Sequence, residues 1–318
     1  MIEPDETPHH DADGIDRRGF LECMSWAGTG LLWSVSAGIP AALTMAKAAA
    51  AAPATTPFSF VQISDSHLGF KRPANTDVVA TLQAAIARVK ALPVKPAFMI
   101  HTGDISHLSH ADEFDAADQL IGEAGLPVFY VPGEHDVLDA DKGKAYLDRY
   151  GKGSQGSGWY SFDHSGVHYI ALVNVQNIGE GGLGRIGRDQ LDWLAKDVSG
   201  LSSETPIVVF AHIPLWMVYP SWGWGTDDGG QALDVLKRFG SLTVLNGHIH
   251  QVMQKVEGNV SFHTARSTAF AQPAPGTAPT PGPMVVPAGT LRQHLGIAEV
   301  NFVRGSEPLA IVDTPLGA

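Results

Sequence analysis

One cysteine, Cys23, occurs in 318 residues. Without a second thiol the chain forms no intramolecular disulfide, and a zinc site built on several thiolates is excluded. Basic residues are scarce as well: 21 Lys and Arg against 33 Asp and Glu leave a formal charge of −12. That balance disfavours a groove that tracks nucleic acid by neutralising its phosphates. Long apolar runs suited to a membrane span are also missing, because the stretch from Met24 to Met45 is diluted by Gly28, Gly30, Gly38 and Pro40. Apolar residues make up 44% of the chain, enough for one large domain or two small ones. Histidine is plentiful: twelve of the 14 lie after residue 52, which invites a search for ligands.

Residues 1–52 read as an export leader rather than as part of a fold. Polar residues 1–16 precede Arg17-Arg18-Gly19-Phe20-Leu21, followed by the diluted apolar stretch and an alanine run at 48–52. The order resembles a twin-arginine signal, with Asp16 where Ser or Thr is usual and no Lys after Leu21. Glu22 beside Cys23, and the place of Cys23 ahead of the apolar stretch, oppose lipid attachment. The expectation is engagement of the twin-arginine export machinery and cleavage near residues 48–52. It leaves no stable membrane span and a periplasmic or secreted product. An uncleaved anchor or an ordinary N-terminal helix is the alternative.

Residues 53–318 read as a single domain. Runs at 58–63, 97–102, 127–131, 207–211 and 242–246 suit strands, and 76–92, 111–123, 188–198 and 230–239 carry apolar positions at helical spacing. Strands alternating with helices of this length indicate an α/β sheet covered on both faces. Hairpins are expected around Asp163-His164-Ser165-Gly166 and around Glu257-Gly258-Asn259, which makes the sheet system mixed. Residues 272–289, rich in Pro, Gly, Ala and Thr, read as an extended surface segment.

Five short polar blocks each end a stretch of β-branched or aromatic residues: Asp65-Ser66-His67, Gly103-Asp104, Gly133-Glu134-His135-Asp136, His212 and Gly247-His248-Ile249-His250. Each lies past the carboxyl end of an expected strand, the edge where open α/β sheets bind ligands. Carboxylates and imidazoles without thiolate suit a pair of divalent or trivalent metal ions. A lone Asp-x-His is usually a turn, but five such blocks in order point to a two-metal hydrolase.

In this order the blocks resemble the calcineurin-like metallophosphoesterase superfamily over residues 58–250, and within it the bacterial class III cyclic-nucleotide phosphodiesterases and related exported phosphoesterases. The resemblance implies an α/β fold, a mixed β-sheet sandwich covered by helices. It also implies a metal-dependent phosphoesterase, phosphatase or phosphodiesterase, acting on a small phosphate mono- or diester. Two divalent or mixed-valence ions (Fe, Mn or Zn) would be held, the first by Asp65, His67 and His250 and the second by Glu134, His212 and His248. Asp104 would bridge them, and a shared water would serve as the attacking hydroxide.

His135 would act as the catalytic histidine beside the leaving oxygen, and Asp136 would orient it by accepting a ring hydrogen bond. Glu134 stands where the family carries Asn, so three acidic ligands would face the pair. The added anion strengthens binding of a hard ion and repels an incoming oxyanion. The alternative is a non-catalytic metal or phosphate-ligand binding protein whose site Glu134 has closed.

Other residues read less sharply. His101, His107 and His110 flank the second block and read as loop or supporting residues. His263 and Arg266 could reach substrate phosphate or simply pack. The aromatic segment 215–225, with Trp216, Tyr219, Trp222 and Trp224, reads as a pocket wall or a loop plug.

Overall fold

The computed structural model describes residues 31–36, 39–44, 57–303 and 306–317. Arg17, Arg18 and the alanine run of the expected leader lie outside the described residues. Within residues 1–52, β1 (Leu31–Ser36) and β2 (Ile39–Thr44) pair antiparallel with each other, in a unit that ends at Ala54. Among the described residues no helix is long and apolar enough to cross a membrane.

The unit beginning at Thr55 contains two mixed sheets. In the first, β3 (Phe58–Ile63), β4 (Met99–His101) and β5 (Val128–Tyr130) run parallel. The second is centred on β7 (Val167–Ala171), β8 (Ile207–Phe210) and β9 (Leu242–Asn246), also parallel, with β6 (Tyr160–His164) antiparallel at one edge. At its other edge β11 (Val260–Thr264) is parallel to β9 and carries β10 (Gln254–Glu257) as an antiparallel neighbour.

Alternation along the strands builds the layers. Phe60, Phe98, Ile100, Tyr169, Val208, Phe210 and Leu245 share one buried cluster between the sheets. Val61, Ile63 and Met99 face outward onto the helices Val78–Lys90 (α1) and Ala111–Gly122 (α2), which contribute Leu82, Ile86, Phe114 and Ile121. On the opposite outer face Ile170, Val209 and Val244 pack with Leu191, Leu194, Ala232 and Leu236, from the helices Arg188–Asp197 and Gly229–Leu236. Strands buried on both faces explain the near-continuous apolar runs in the sequence. The expected α/β sandwich covered by helices is thus the observed architecture.

Local chemistry sets the ends of these elements. Asp77 caps α1 by accepting from the Ala80 N–H at 3.0 Å. The hairpin between β6 and β7 turns on Ser165 and Gly166, both at positive φ (51° and 78°), as a two-residue loop demands. Residues 272–289 contain no strand or helix, as expected. Features that went unforeseen include the β1–β2 pair, the helix Lys144–Tyr150, and the C-terminal hairpin β12 (Gly296–Val303) and β13 (Ser306–Pro315). Through β12, antiparallel to β3, that hairpin extends the first sheet.

Candidate metal centre

All five polar blocks leave the carboxyl ends of parallel strands: β3, β4 and β5 of one sheet, β8 and β9 of the other. Backbone hydrogen bonds continue the pairing into the loops, from Asp65 N to Gly103 O (3.0 Å) and from His67 N to Asp104 O (2.9 Å). Gly247 N to His212 O (3.0 Å) does the same in the second sheet. Asp65, His67, Asp104, His248 and His250 all have positive φ, between 42° and 68°. Non-glycine residues in that region cost on the order of 1 kcal/mol or more each, and such strain clusters at functional sites. Gly103 is needed for space, since a Cβ there would stand 2.5 Å from His212 Nδ1.

The seven expected metal ligands converge. Asp65, His67 and His250 form one group with donor atoms within 4.8 Å of one another, and Glu134, His212 and His248 form another. Asp104 lies between them: its Oδ2 is 3.5 Å from His67 Nε2 and 3.4 Å from His212 Nε2. His250 Nε2 is 3.2 Å from Asp65 Oδ1. Glu134 enters the cluster and does not turn away, with one carboxylate oxygen 2.9 Å from His212 Nε2 and the other 3.0 Å from His248 Nδ1.

Several rings are held in one tautomer by backbone carbonyls. His212 Nδ1–H donates to Thr102 O, His250 Nδ1–H to Phe270 O and His135 Nδ1–H to His107 O, each at 2.7 Å. A carbonyl only accepts, so each Nδ1 carries the proton and Nε2 is left to face the cluster. Glu134 Oε2, His212 Nε2 and His248 Nδ1 are buried without a hydrogen-bond partner. Lone-pair atoms crowded together with no donors between them are what a cation would satisfy, so the donor set fits a pair of metal ions.

Electrostatics agree with that fit. Burial pushes the His212 imidazole down, but the Asp104 and Glu134 carboxylates outweigh it and raise its pKa well above the ordinary value. Burial pushes the Glu134 carboxyl up, and the His248 and His212 rings more than reverse that, leaving it well below the usual range. His67, surrounded by other rings, is driven down chiefly by burial. The cluster therefore demands positive charge near its carboxylates.

Asp136 departs from its expected role. It is fully buried and accepts from Ile105 N (3.0 Å), Ser106 N (2.8 Å), Ser106 Oγ (2.8 Å) and Gly133 N (3.0 Å). Its carboxyl ties the loop after β4 to the loop after β5, while the His107 carbonyl orients His135. Burial and then the Asp104 charge push Asp136 up to about 6, despite the four donors.

His107, expected as a loop or supporting residue, packs against the site in the supporting role. Its ring stacks on His135 (4.8 Å between centroids, 16° between planes) and its Nδ1 is 3.4 Å from His67 Nδ1. Its place three residues after Asp104, on the same loop, is the only sequence signal that could have marked it. His101 is buried beneath the site, accepting from Gly103 N (3.2 Å) and contacting Ser66 Oγ (2.9 Å), and burial lowers its pKa to about 3. His110 is exposed at the start of α2.

His263 and Arg266 point elsewhere. His263 Nε2 contacts Asp313 (2.9 Å), and Arg266 donates to the Gln293 and His294 carbonyls. Segment 215–225 packs largely on itself: Trp224 is buried, Trp222 meets it edge-on and Val218 N bonds Trp224 O.

Two helix-covered sheets that deliver clustered Asp, Glu and His side chains to one edge define an α/β protein with a set of candidate metal ligands. A family model described as calcineurin-like phosphoesterase matches residues 58–252, and the chain belongs to that family. It is 25% identical over 200 residues to a protein from Psychrobacter sp. (strain PRwf-1) described as a probable cyclic nucleotide phosphodiesterase, covering 60% of this chain and 57% of that protein. A Synechococcus sp. relative with the same description is 27% identical over 226 residues, covering 68% of this chain and 83% of its own length. Among solved structures, a dimetal phosphatase from Danio rerio matches with a TM-score of 0.61 at 14% identity, over 81% of this chain and 96% of that one. At that identity the likeness speaks for the fold.

Proposed function

We propose that the chain is a hydrolase of small phosphate mono- or diesters that works with two metal ions, Fe, Mn or Zn. The observation that carries this reading is the pair of ligand groups, Asp65/His67/His250 and Glu134/His212/His248, with Asp104 in contact with both. Metal ions bound there supply Lewis acidity and activate water near neutral pH. His135 stands beside the centre, grouped with Asp104 and Glu134, its Nδ1–H fixed on His107 O. With its Nδ1 proton held by the His107 carbonyl, the ring presents Nε2 as the atom that can donate a proton to the departing oxygen. The family and the descriptions of the Psychrobacter and Synechococcus relatives support this assignment.

The test is turnover of a panel of simple monoesters, diesters and cyclic nucleotides by protein reconstituted with Mn, Fe or Zn. Metal-dependent hydrolysis is expected. Tight metal binding with no turnover favours the other reading, a metal or phosphate-ligand binding protein, which the inward placement of Glu134 supports.

We further propose export through the twin-arginine route to the periplasm or beyond. This rests on the order of residues 1–52. Changing Arg17 and Arg18 together to Lys should hold the precursor in the cytoplasm, and a normally shortened external product would defeat the idea.

A further inference from the structure

Glu134 lies on the most open side of the ligand cluster. Asp65, His67, Asp104, His212 and His250 are nearly sealed, at 3% exposure or less. The Glu134 and His248 side chains are 25% and 13% exposed and form the open side of the ligand cluster. Three carboxylates, Asp65, Asp104 and Glu134, share the cluster. Among the described ion pairs, none joins a Lys or Arg to any of them. Exposed Arg72 exerts its influence on His107, and Arg266 is spent on backbone carbonyls. Two divalent ions would bring four positive charges; the three carboxylates and a hydroxide nucleophile cancel them. Apart from His135, such a centre is neutral, and its most exposed ligand, Glu134, is itself an anion.

We propose that Glu134 makes the site discriminate by substrate charge, admitting monoanionic phosphodiesters and resisting dianionic monoesters and inorganic phosphate. The proposal rests on the phosphoesterase reading but can fail separately from it. One additional unit charge at about 5 Å, at an effective dielectric of about 20, corresponds to a factor on the order of 10², and screening at a partly open site reduces it toward about 10.

The experiment compares the Mn-loaded full chain with Glu134→Gln, which keeps the side-chain length and removes the charge. Metal content is measured beside calorimetric binding of inorganic phosphate and of dimethyl phosphate, and beside hydrolysis of p-nitrophenyl phosphate and bis(p-nitrophenyl) phosphate. Per metal-loaded site and at a pH where inorganic phosphate is dianionic, Glu134→Gln should tighten inorganic phosphate by about the square of the factor for dimethyl phosphate, on the order of 10²-fold against about 10-fold. The ratio of monoester to diester hydrolysis should rise in step. Equal factors for both anions overturn the proposal. If the Gln variant loses its metal, Glu134→Asp decides, since retaining the charge should restore both metal and discrimination. A wild type that hydrolyses neither ester refutes the phosphoesterase reading, while the binding ratio still judges the charge filter.

Discussion

Gly133→Ala tests the geometry of the bridge between the two ligand groups. Gly133 has an ordinary φ of −94°, so backbone conformation is not the obstacle to a side chain. A Cβ there would overlap Asp104 Oδ1 and the Asp104 backbone N, and would stand 2.6 Å from Asp104 Cγ. Asp104 Oδ1 also accepts from His135 N at 2.9 Å, so displacing the carboxylate disturbs the loop that carries His135 as well. Overpacking of this kind costs about 1–3 kcal/mol, and in a unit this size each kcal/mol lowers Tm by about 2–4 °C. Because Asp104 contacts both groups, the second consequence is weakened retention of both ions under chelator challenge.

The assay is thermal melting of metal-loaded and stripped protein, with metal content measured alongside. Gly230→Ala serves as control: nothing lies within 4 Å of its Cβ, and it sits in the first turn of the helix Gly229–Leu236. Alanine there should be neutral or stabilising by up to about 1 kcal/mol. A Gly133→Ala protein that melts like wild type and keeps both ions as firmly refutes the placement of Asp104.

Three other outcomes are expected. Asp104→Ala should deplete both metal positions and His67→Ala chiefly one, which metal analysis after dialysis will report; two retained ions in Asp104→Ala would count against the bridge. His135→Ala should keep its metals and lose about 10²–10⁴-fold in rate, less for substrates with good leaving groups, whereas an equal loss across leaving groups would argue against proton donation. His168 donates to Asp163 (2.8 Å) and Asp197 (2.9 Å); burial lowers its pKa, but these contacts raise it above 6.5. Its contribution is therefore full below about 6.5 and lost as pH climbs through the raised folded value. Wild type should lose more Tm across that window than His168→Gln, and parallel pH profiles would remove the imidazolium from the account.

Legibility in the sequence followed physical locality. Strands β3, β4, β8 and β9 were readable because both faces are buried, the half-buried edge strand β5 from its run of β-branched and aromatic residues, and all five ends because each stops at a polar block. The ligand set was readable from block order, which the common strand edge converts into proximity. Strand β13 was hidden by Pro308, Pro315 and polar Asp313 and Thr314, residues tolerated because it lies at the sheet edge. The helix Lys144–Tyr150 has only seven residues, too few for a periodic signal. The role of Asp136 depends on donors 30 and 31 positions away in sequence. His107 packs against the site because its loop folds back, with His107 N bonded to Leu68 O at 2.9 Å, which no short-range pattern reports.

The most direct test of the proposed dinuclear centre is an anomalous-scattering crystal structure of the protein reconstituted with Mn, Fe or Zn. Two peaks about 3.5–4 Å apart are expected, one ligated by Asp65, His67 and His250, the other by Glu134, His212 and His248, with Asp104 touching both. A single peak, or two peaks that do not share Asp104, would contradict the account.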